Sequence, residues 1–261
     1  MIMGGKISFI VFILVTLVLC AAMLGQASAA QDMDKTIYDT LLKKYVSGGT
    51  VDYLKWKKND LGIFERYINS LAKVSLTNSS ENEQKAFWID TYNAITIYAV
   101  LKYIPANGLL AKLFSVQMVT GFFDKITYSV VGETLTLNDI ENDKLRKSFH
   151  DPRVHFALVC ASRSCPKIQN TPFQEAGLDE RLDSAARNFI QDTTKNRLDQ
   201  RNNVLYLSEI FKWYGSDFTA SAGTVVDFVK KYIGKEGGEY LSTHTVKIQY
   251  LFYDWLVNIK R

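Results

Sequence analysis

The sequence predicts an α+β fold: a helix-rich single domain with a small, mostly antiparallel sheet packed on one long buried helix. Three observations predict it. Helical and period-two patterns fall in separate blocks instead of alternating along the chain. The run from Ala86 to Ile97 is apolar on nearly every side, as a helix buried all round must be. The 261 residues include only 4 prolines, and they hold no internal repeat, low-complexity stretch or Gly/Ser linker at which to divide the chain.

The chain opens with Lys6, an apolar run from Ile7 to Leu24, and Ala27-Ser28-Ala29, the order of a secretory signal with its small-x-small cleavage site. Residues 1–30 are therefore expected to be a signal peptide and residues 31–261 the folded domain, exported to the periplasm or secreted. An uncleaved anchor is the alternative, since the apolar run approaches the length of a bilayer span. Cys20, preceded by Leu19, leaves with the signal and is not read as a lipidation site.

Ile37, Leu41, Leu42 and Tyr45 recur at helical spacing, and Ser47-Gly48-Gly49 stops that helix. A second helix is expected from Asp60 to Leu71. Ser80 with Glu83 reads as a capping box opening the long buried helix, which should end before Pro105. From Lys125 to Leu137 the period changes to two around Gly132-Glu133, which predicts a hairpin with a type II′ turn. Asn138 is placed as the cap of a short helix, Asp139 to Lys147. The apolar, partly β-branched run Val154 to Cys160 predicts a buried strand ending in the turn Ser162-Arg163-Ser164-Cys165-Pro166. An amphipathic helix follows from Leu178 to Asp192, then a strand from Val204 to Leu207. Ser208 caps an aromatic helix through Tyr214, Thr224 to Ile233 forms another, and Val246 to Phe252 is the last strand.

The net charge of +4 is scattered, and its one dense cluster, Lys55-Trp56-Lys57-Lys58, reads as a solvated helix end. Nucleic acid is not an expected partner, and a membrane is expected only through an uncleaved signal segment. The sequence has no phosphate-cradling glycine loop, no Ser elbow and no His-Glu-x-x-His.

Several segments together carry a resemblance. They are Ala86-Phe87-Trp88-Ile89 with Tyr92-Asn93-Ala94; Leu137-Asn138-Asp139-Ile140-Glu141 with Leu145-Arg146; Asp151 to Pro166; Leu207-Ser208-Glu209-Ile210-Phe211 with Trp213-Tyr214; Asp217-Phe218; and Tyr253-Asp254-Trp255. In this order, over nearly the whole mature chain, they resemble the domain of unknown function 547 family. The resemblance implies no activity, since the family has none assigned; exported bacterial members are common, and plant members carry the domain within larger chains. Asp90 stands where the family pattern has Asn, and Asn142 where many members have His.

The residues that could carry chemistry gather at His150, His155, Cys160 and Cys165, five apart throughout. In an exported chain Cys160 and Cys165 can form a disulfide, worth about 2 kcal/mol for so short a loop. The competing reading makes Cys160 a nucleophile, His155 its base and Asn93 or Glu209 the group that orients the imidazole, as in a thiol-dependent amide or ester hydrolase or acyl transferase. In a regular strand positions 155 and 160 face opposite sides, so this pairing needs an intervening bulge or turn. Zinc would need the four residues to converge from a single stretch, and Cys-x4-Cys lacks the spacing of a disulfide oxidoreductase. No cofactor is expected. Asp90 and Asn93 share a face of the buried helix and need buried partners, for which Glu141 with Arg146 and Glu209 with Lys212 are candidates. A structural hydrogen-bond network is the plainer reading of these polar groups, and a small-ligand pocket its rival. A binding wall is expected from Trp88, Tyr92, Glu141, Arg146, Arg163 and Trp213. The non-enzymatic alternative is a disulfide-closed module of the cell envelope that recognises a peptide, glycan or partner protein.

Overall fold

The computed structural model describes residues 36–260; the expected signal segment, with Cys20, lies outside the described residues. The chain begins with α1 (36–45), a tight hairpin of β1 (Val46–Ser47) and β2 (Thr50–Val51), then α2 (Tyr53–Asn59) and α3 (Leu61–Ser70). Gly48 and Gly49 both take positive φ in that hairpin, the backbone a two-residue turn of this kind demands.

The long helix α4 (Glu81–Tyr103) starts where Ser80 accepts the backbone N–H of Glu83 and ends two residues before Pro105. Its burial extends around the cylinder, from Ala86, Trp88 and Ile89 through Thr96, Ile97 and Leu101, as its sequence predicts. Its helical neighbours include α2 and α3. None of the described helices is long and apolar enough to cross a membrane.

After α5 (Gly108–Leu113), β3 (Thr127–Val130) and β4 (Glu133–Thr136) form the expected hairpin, but its turn differs from the prediction. The two central residues are Val131 and Gly132, both at positive φ (51° and 74°), a type I′ arrangement in place of a II′ turn at Gly132-Glu133. A β-branched residue is held there because the tip is tied down: Val131 and Gly132 donate to the carbonyls of Leu71 and Ala72. The next helical segment is capped by Thr136, not Asn138, in a capping box with Asp139. It runs through α6 (Leu137–Asp139), a π-helix (Ile140–Arg146) and α7 (Lys147–Phe149).

The strand expected at Val154 to Cys160 is a correction: Pro152–Phe156 is a 3₁₀ turn, followed by an irregular segment. Asp151 caps it by accepting the Arg153 N–H, and Pro152 occupies the first helical position with its φ already set. An N-cap and a proline at N1 outweighed the β-branched composition of the run that follows.

Beyond it lie α8 (Leu178–Ile190), β5 (Arg197–Asp199), β6 (Val204–Ser208), α9 (Ile210–Trp213), α10 (Gly215–Ala222), α11 (Val225–Lys230), α12 (Lys235–Thr243) and β7 (Lys247–Leu251). Among the described residues the strands form two hairpins and one three-stranded sheet in the order β5-β6-β7, antiparallel then parallel. The fold is helix-rich α+β. The larger apolar cluster surrounds α4; a second, rich in phenylalanine, joins Phe156, Phe189, Phe211, Phe218 and Phe228. Cys160 and Trp255 are packed against both clusters. The chemistry-bearing residues therefore sit at the seam between two cores, where packed surfaces leave room for a cleft.

Candidate functional site

Three local devices build the seam. Asn93, 4% exposed on α4, donates its amide to the Ala157 carbonyl and accepts the Val159 N–H, both at 2.9 Å. This clamp fixes the segment between the 3₁₀ turn and Cys160 without any regular strand. Ala161 then turns the chain with φ at 59°, a left-handed conformation that costs an L residue on the order of 1 kcal/mol. Finally, residues 161–164 are stitched to the C-terminal segment. Ala161 accepts from Asn258, Arg163 and Ser164 donate to the carbonyls of Leu256 and Asp254, and the Asp254 N–H returns to the Ser164 hydroxyl. That stitching carries Tyr253 to Cys160.

A cavity of about 460 Å³ opens here. Cys160, Cys165, His155, Glu141, Tyr92 and Tyr214 line one part of it, and the aromatic side chains of Phe123, Trp213, Tyr253 and Trp255 line another. Trp213, Tyr253 and Trp255 lean on one another, with ring centroids 4.8 to 5.7 Å apart, and Trp213 is 44% exposed. Apolar walls with a few convergent polar groups are the usual form of a small-molecule site.

The sulfur atoms of Cys160 and Cys165 lie 2.6 Å apart, and the Cys160 N–H donates to the Cys165 sulfur at 2.7 Å. The Cys160 sulfur also has the hydroxyls of Tyr253 and Ser162 at 3.1 and 3.2 Å. Burial opposes ionisation of Cys160, but hydrogen bonds from Cys165, Ser162 and Tyr253 outweigh it and bring the thiol down to about 7. Cys165, fully enclosed, is pushed the other way by burial and by the neighbouring Cys160. Cys160, the less buried of the two residues, is thus the one whose thiol ionises more readily.

His155 is 3% exposed and stacks on Tyr214 at 3.8 Å. Its Nε2 lies 2.8 Å from Oδ2 of Asp217. Asp217 is also gripped by Arg146 through both Nε and Nη2, at 2.7 and 2.9 Å. The hydrogen bond to His155, aided by Arg146, holds the Asp217 carboxyl far below the usual carboxylate range. An ionised carboxylate only accepts, so Nε2 carries the proton, and in the neutral ring Nδ1 presents a lone pair. Nδ1 is buried with no hydrogen-bond partner, and the nearest charge is Oε1 of Glu141 at 3.8 Å. Two acceptors face each other across a gap that wants a donor.

Of the residues expected from the sequence, Cys160, His155, Tyr92, Glu141 and Trp213 meet in the cavity. Asn93 does not reach the imidazole; its amide group is occupied by backbone. Glu209 pairs with Lys212 at 3.4 Å. Asp90 accepts from the Phe173 N–H. Trp88 is buried beside Phe87 with the Lys144 ammonium over its ring, and Arg163 turns to Asp254. Arg146 acts behind the site, over the Tyr214 ring and on Asp217, with Asn142 accepting a third bond from it at 2.6 Å. His150 is exposed at the end of α7. Among the described residues no group of three or more His, Cys, Asp and Glu is arranged to hold a metal ion.

Sequence reasoning missed Asp217 and Tyr253 as site residues. Both stand inside segments that carry the family resemblance, beside aromatic residues, yet neither lies near His155 or Cys160 in the chain.

Residues 76–190 match the family model described as "Protein of unknown function, DUF547". The match takes in Asn93, Glu141, His155, Cys160 and Cys165 and stops before Asp217 and Tyr253. No match was found among curated proteins or among solved structures.

Proposed function

We propose that this chain, whose residues 76–190 match that family of unknown function, is a thiol-dependent amide or ester hydrolase or acyl transferase. In this reading Cys160 is the nucleophile, and an Asp217-oriented His155 is the acid–base. The observation that carries it is the lone Nδ1 of His155: tautomer and tilt are set by Asp217 on the far side, and the free nitrogen belongs to the same cavity as a thiol near pKa 7. Asp217 takes the orienting role that the sequence suggested for Asn93 or Glu209.

Cys160 has its hydrogen bonds from Cys165, Ser162 and Tyr253, so ionisation of the sulfur does not depend on touching the imidazole. His155 is free to act on the leaving group and on water. The thiolate adds to an acyl carbonyl. Nδ1 first takes up, through water, the proton that Cys160 loses on ionising; the tetrahedral adduct then expels an amine or alcohol, which leaves with that proton, and a thioester remains on Cys160. Water, or an acceptor amine in the transferase case, gives a proton back to Nδ1 as it attacks the thioester, and the thiolate is restored. Glu141, facing Nδ1 across 3.8 Å, suits a substrate that brings an N–H or O–H donor to that gap. The apolar leader delivers such a site outside the cytosol, to the periplasm or beyond.

The test is acyl-enzyme trapping with a panel of p-nitrophenyl acyl esters. The wild type should show a burst of nitrophenolate and a thioester on Cys160 by mass spectrometry. Cys160→Ala should abolish both, and His155→Ala should slow turnover on the order of 100-fold. Turnover that persists in Cys160→Ala, with no acyl group on the wild-type sulfur, would remove the nucleophile assignment.

A second reading draws on the mutually packed Trp213, Tyr253 and Trp255. An aromatic wall of this kind also suits a binding module for a peptide, glycan or partner protein. Saturable ligand binding with no burst in the same assay favours it.

A further inference from the structure

The proposed acyl chemistry uses one sulfur as its nucleophile; the second forms no bond to substrate in it and only hydrogen-bonds to the first. Cys165 is buried, sits against the attacking atom and lines the same cavity. Its backbone is anchored from behind: its carbonyl accepts from the Lys195 ammonium, which burial makes less basic than a free lysine. Its own N–H bonds to the Ser162 carbonyl. Cys165 is therefore held in place beside Cys160 and is not free to swing away.

We propose that Cys160 and Cys165 form a dithiol pair that exchanges with small-molecule disulfides admitted to the aromatic cavity. The geometry meets the three requirements of such a pair. The attacking sulfur belongs to the partly exposed residue. The resolving residue is the more buried of the two, 4% exposed, so it is the less accessible to a first attack. The two are already adjacent, so the second step needs no chain movement. Cys-x4-Cys here reaches by an irregular turn what a helix N-terminus provides in disulfide oxidoreductases. Hydroxyls from Ser162 and Tyr253 beside the first sulfur supply the stabilisation of a thiolate that a helix end gives elsewhere.

The Cys160 thiolate attacks one sulfur of R–S–S–R, forming a mixed disulfide and expelling RS⁻. Cys165 gives up its proton to that thiolate and attacks the Cys160 sulfur, forming the internal disulfide and releasing the second RS⁻, which takes up the proton Cys160 lost on ionising. The protein is oxidised by two electrons, and one disulfide is reduced to two thiols. In excess thiol the same steps run backwards and restore the pair. The cavity, about 460 Å³, takes a small linear disulfide, and its Trp213 and Trp255 walls favour apolar or aromatic substituents.

The probe is bis(2-hydroxyethyl) disulfide, added to the reduced full-length protein with Cys20 replaced by serine as the wild-type background, and followed by intact mass and thiol release. Wild type should lose two hydrogens in mass and release two equivalents of mercaptoethanol. Cys165→Ser should stop at a stable mixed disulfide on Cys160 with one equivalent released, and Cys160→Ser should not react. If wild type instead accumulates the mixed disulfide, or if Cys165→Ser and wild type give the same product, the resolving role is overturned. If neither reacts faster than a denatured control, the pair is not an exchange site at all. The assay contains no acyl group, so its outcome is independent of the hydrolase reading.

Discussion

Replacing Asn93 with alanine should destabilise the fold by about 2 to 5 kcal/mol, because the side chain closes two buried backbone valences at once. The carbonyl of Ala157 and the N–H of Val159 lie 64 and 66 residues away in sequence, both belong to residues at most 5% exposed, and both bond Asn93 at 2.9 Å. In the alanine variant each is stranded in a dry interior at about 1 to 3 kcal/mol. Urea unfolding followed by tryptophan fluorescence is the assay. With a slope of ~2 kcal/mol per molar, the midpoint should fall by about 1 to 2.5 M at unchanged slope. Asn93→Asp keeps the acceptor for Val159 but turns an acceptor on the Ala157 carbonyl, so it should rescue little. A midpoint within about 0.3 M of wild type for Asn93→Ala would refute the clamp and reopen Asn93 to a role in the cavity.

Two further predictions concern charge. Alkylation of Cys160 by iodoacetamide should rise with pH about a midpoint near 7, and Tyr253→Phe should move that midpoint upward, since loss of the hydroxyl removes a bond to the thiolate; an unmoved midpoint would discount Tyr253. Asp151→Asn leaves Lys85 buried without its carboxylate and should cost about 3 kcal/mol in thermal or urea unfolding. Burial raises the Asp151 pKa, yet its bonds to Arg153 and Lys85 carry it below the ordinary value. Its contribution is therefore full above about pH 4 and is lost as pH falls through the folded value, so wild type should weaken more than the Asn variant on acidification.

Helices were more legible in the sequence than the segment that carries the chemistry. α4 could be read because its cap, its length and its all-round apolarity agree, and α8 because its apolar stripe has the helical period. The 3₁₀ turn was misread as strand: Val154 to Cys160 has strand composition, whereas Asp151-Pro152 before it has helix-start chemistry, and only the latter acts on the first turn. Local pattern also could not reveal that Asn93 replaces strand pairing as the support of Ala157 and Val159. For the site, the five-residue spacing drew attention to the right ring and sulfurs. Asp217 and Tyr253 escaped because they arrive 62 and 93 residues later, through long-range packing that no spacing encodes. Asp217 is locally an ordinary first-turn acid of a short helix.

The π-helix at Ile140–Arg146 sets a register that reaches into the cavity. Its i to i+5 winding, closed by the bond from the Lys147 N–H to the Asn142 carbonyl, directs Glu141 at the imidazole while Arg146 grips the carboxylate behind it. Excising one residue there would restore ordinary winding and swing Arg146 about 100° around the axis. Asp217 would then lose both Arg146 bonds and keep His155 and the Ser216 hydroxyl as its donors, so its carboxylate would bear harder on the His155 ring. Segment length, with every side chain in the cavity unaltered, thus works as a tuning peg for the acid–base group.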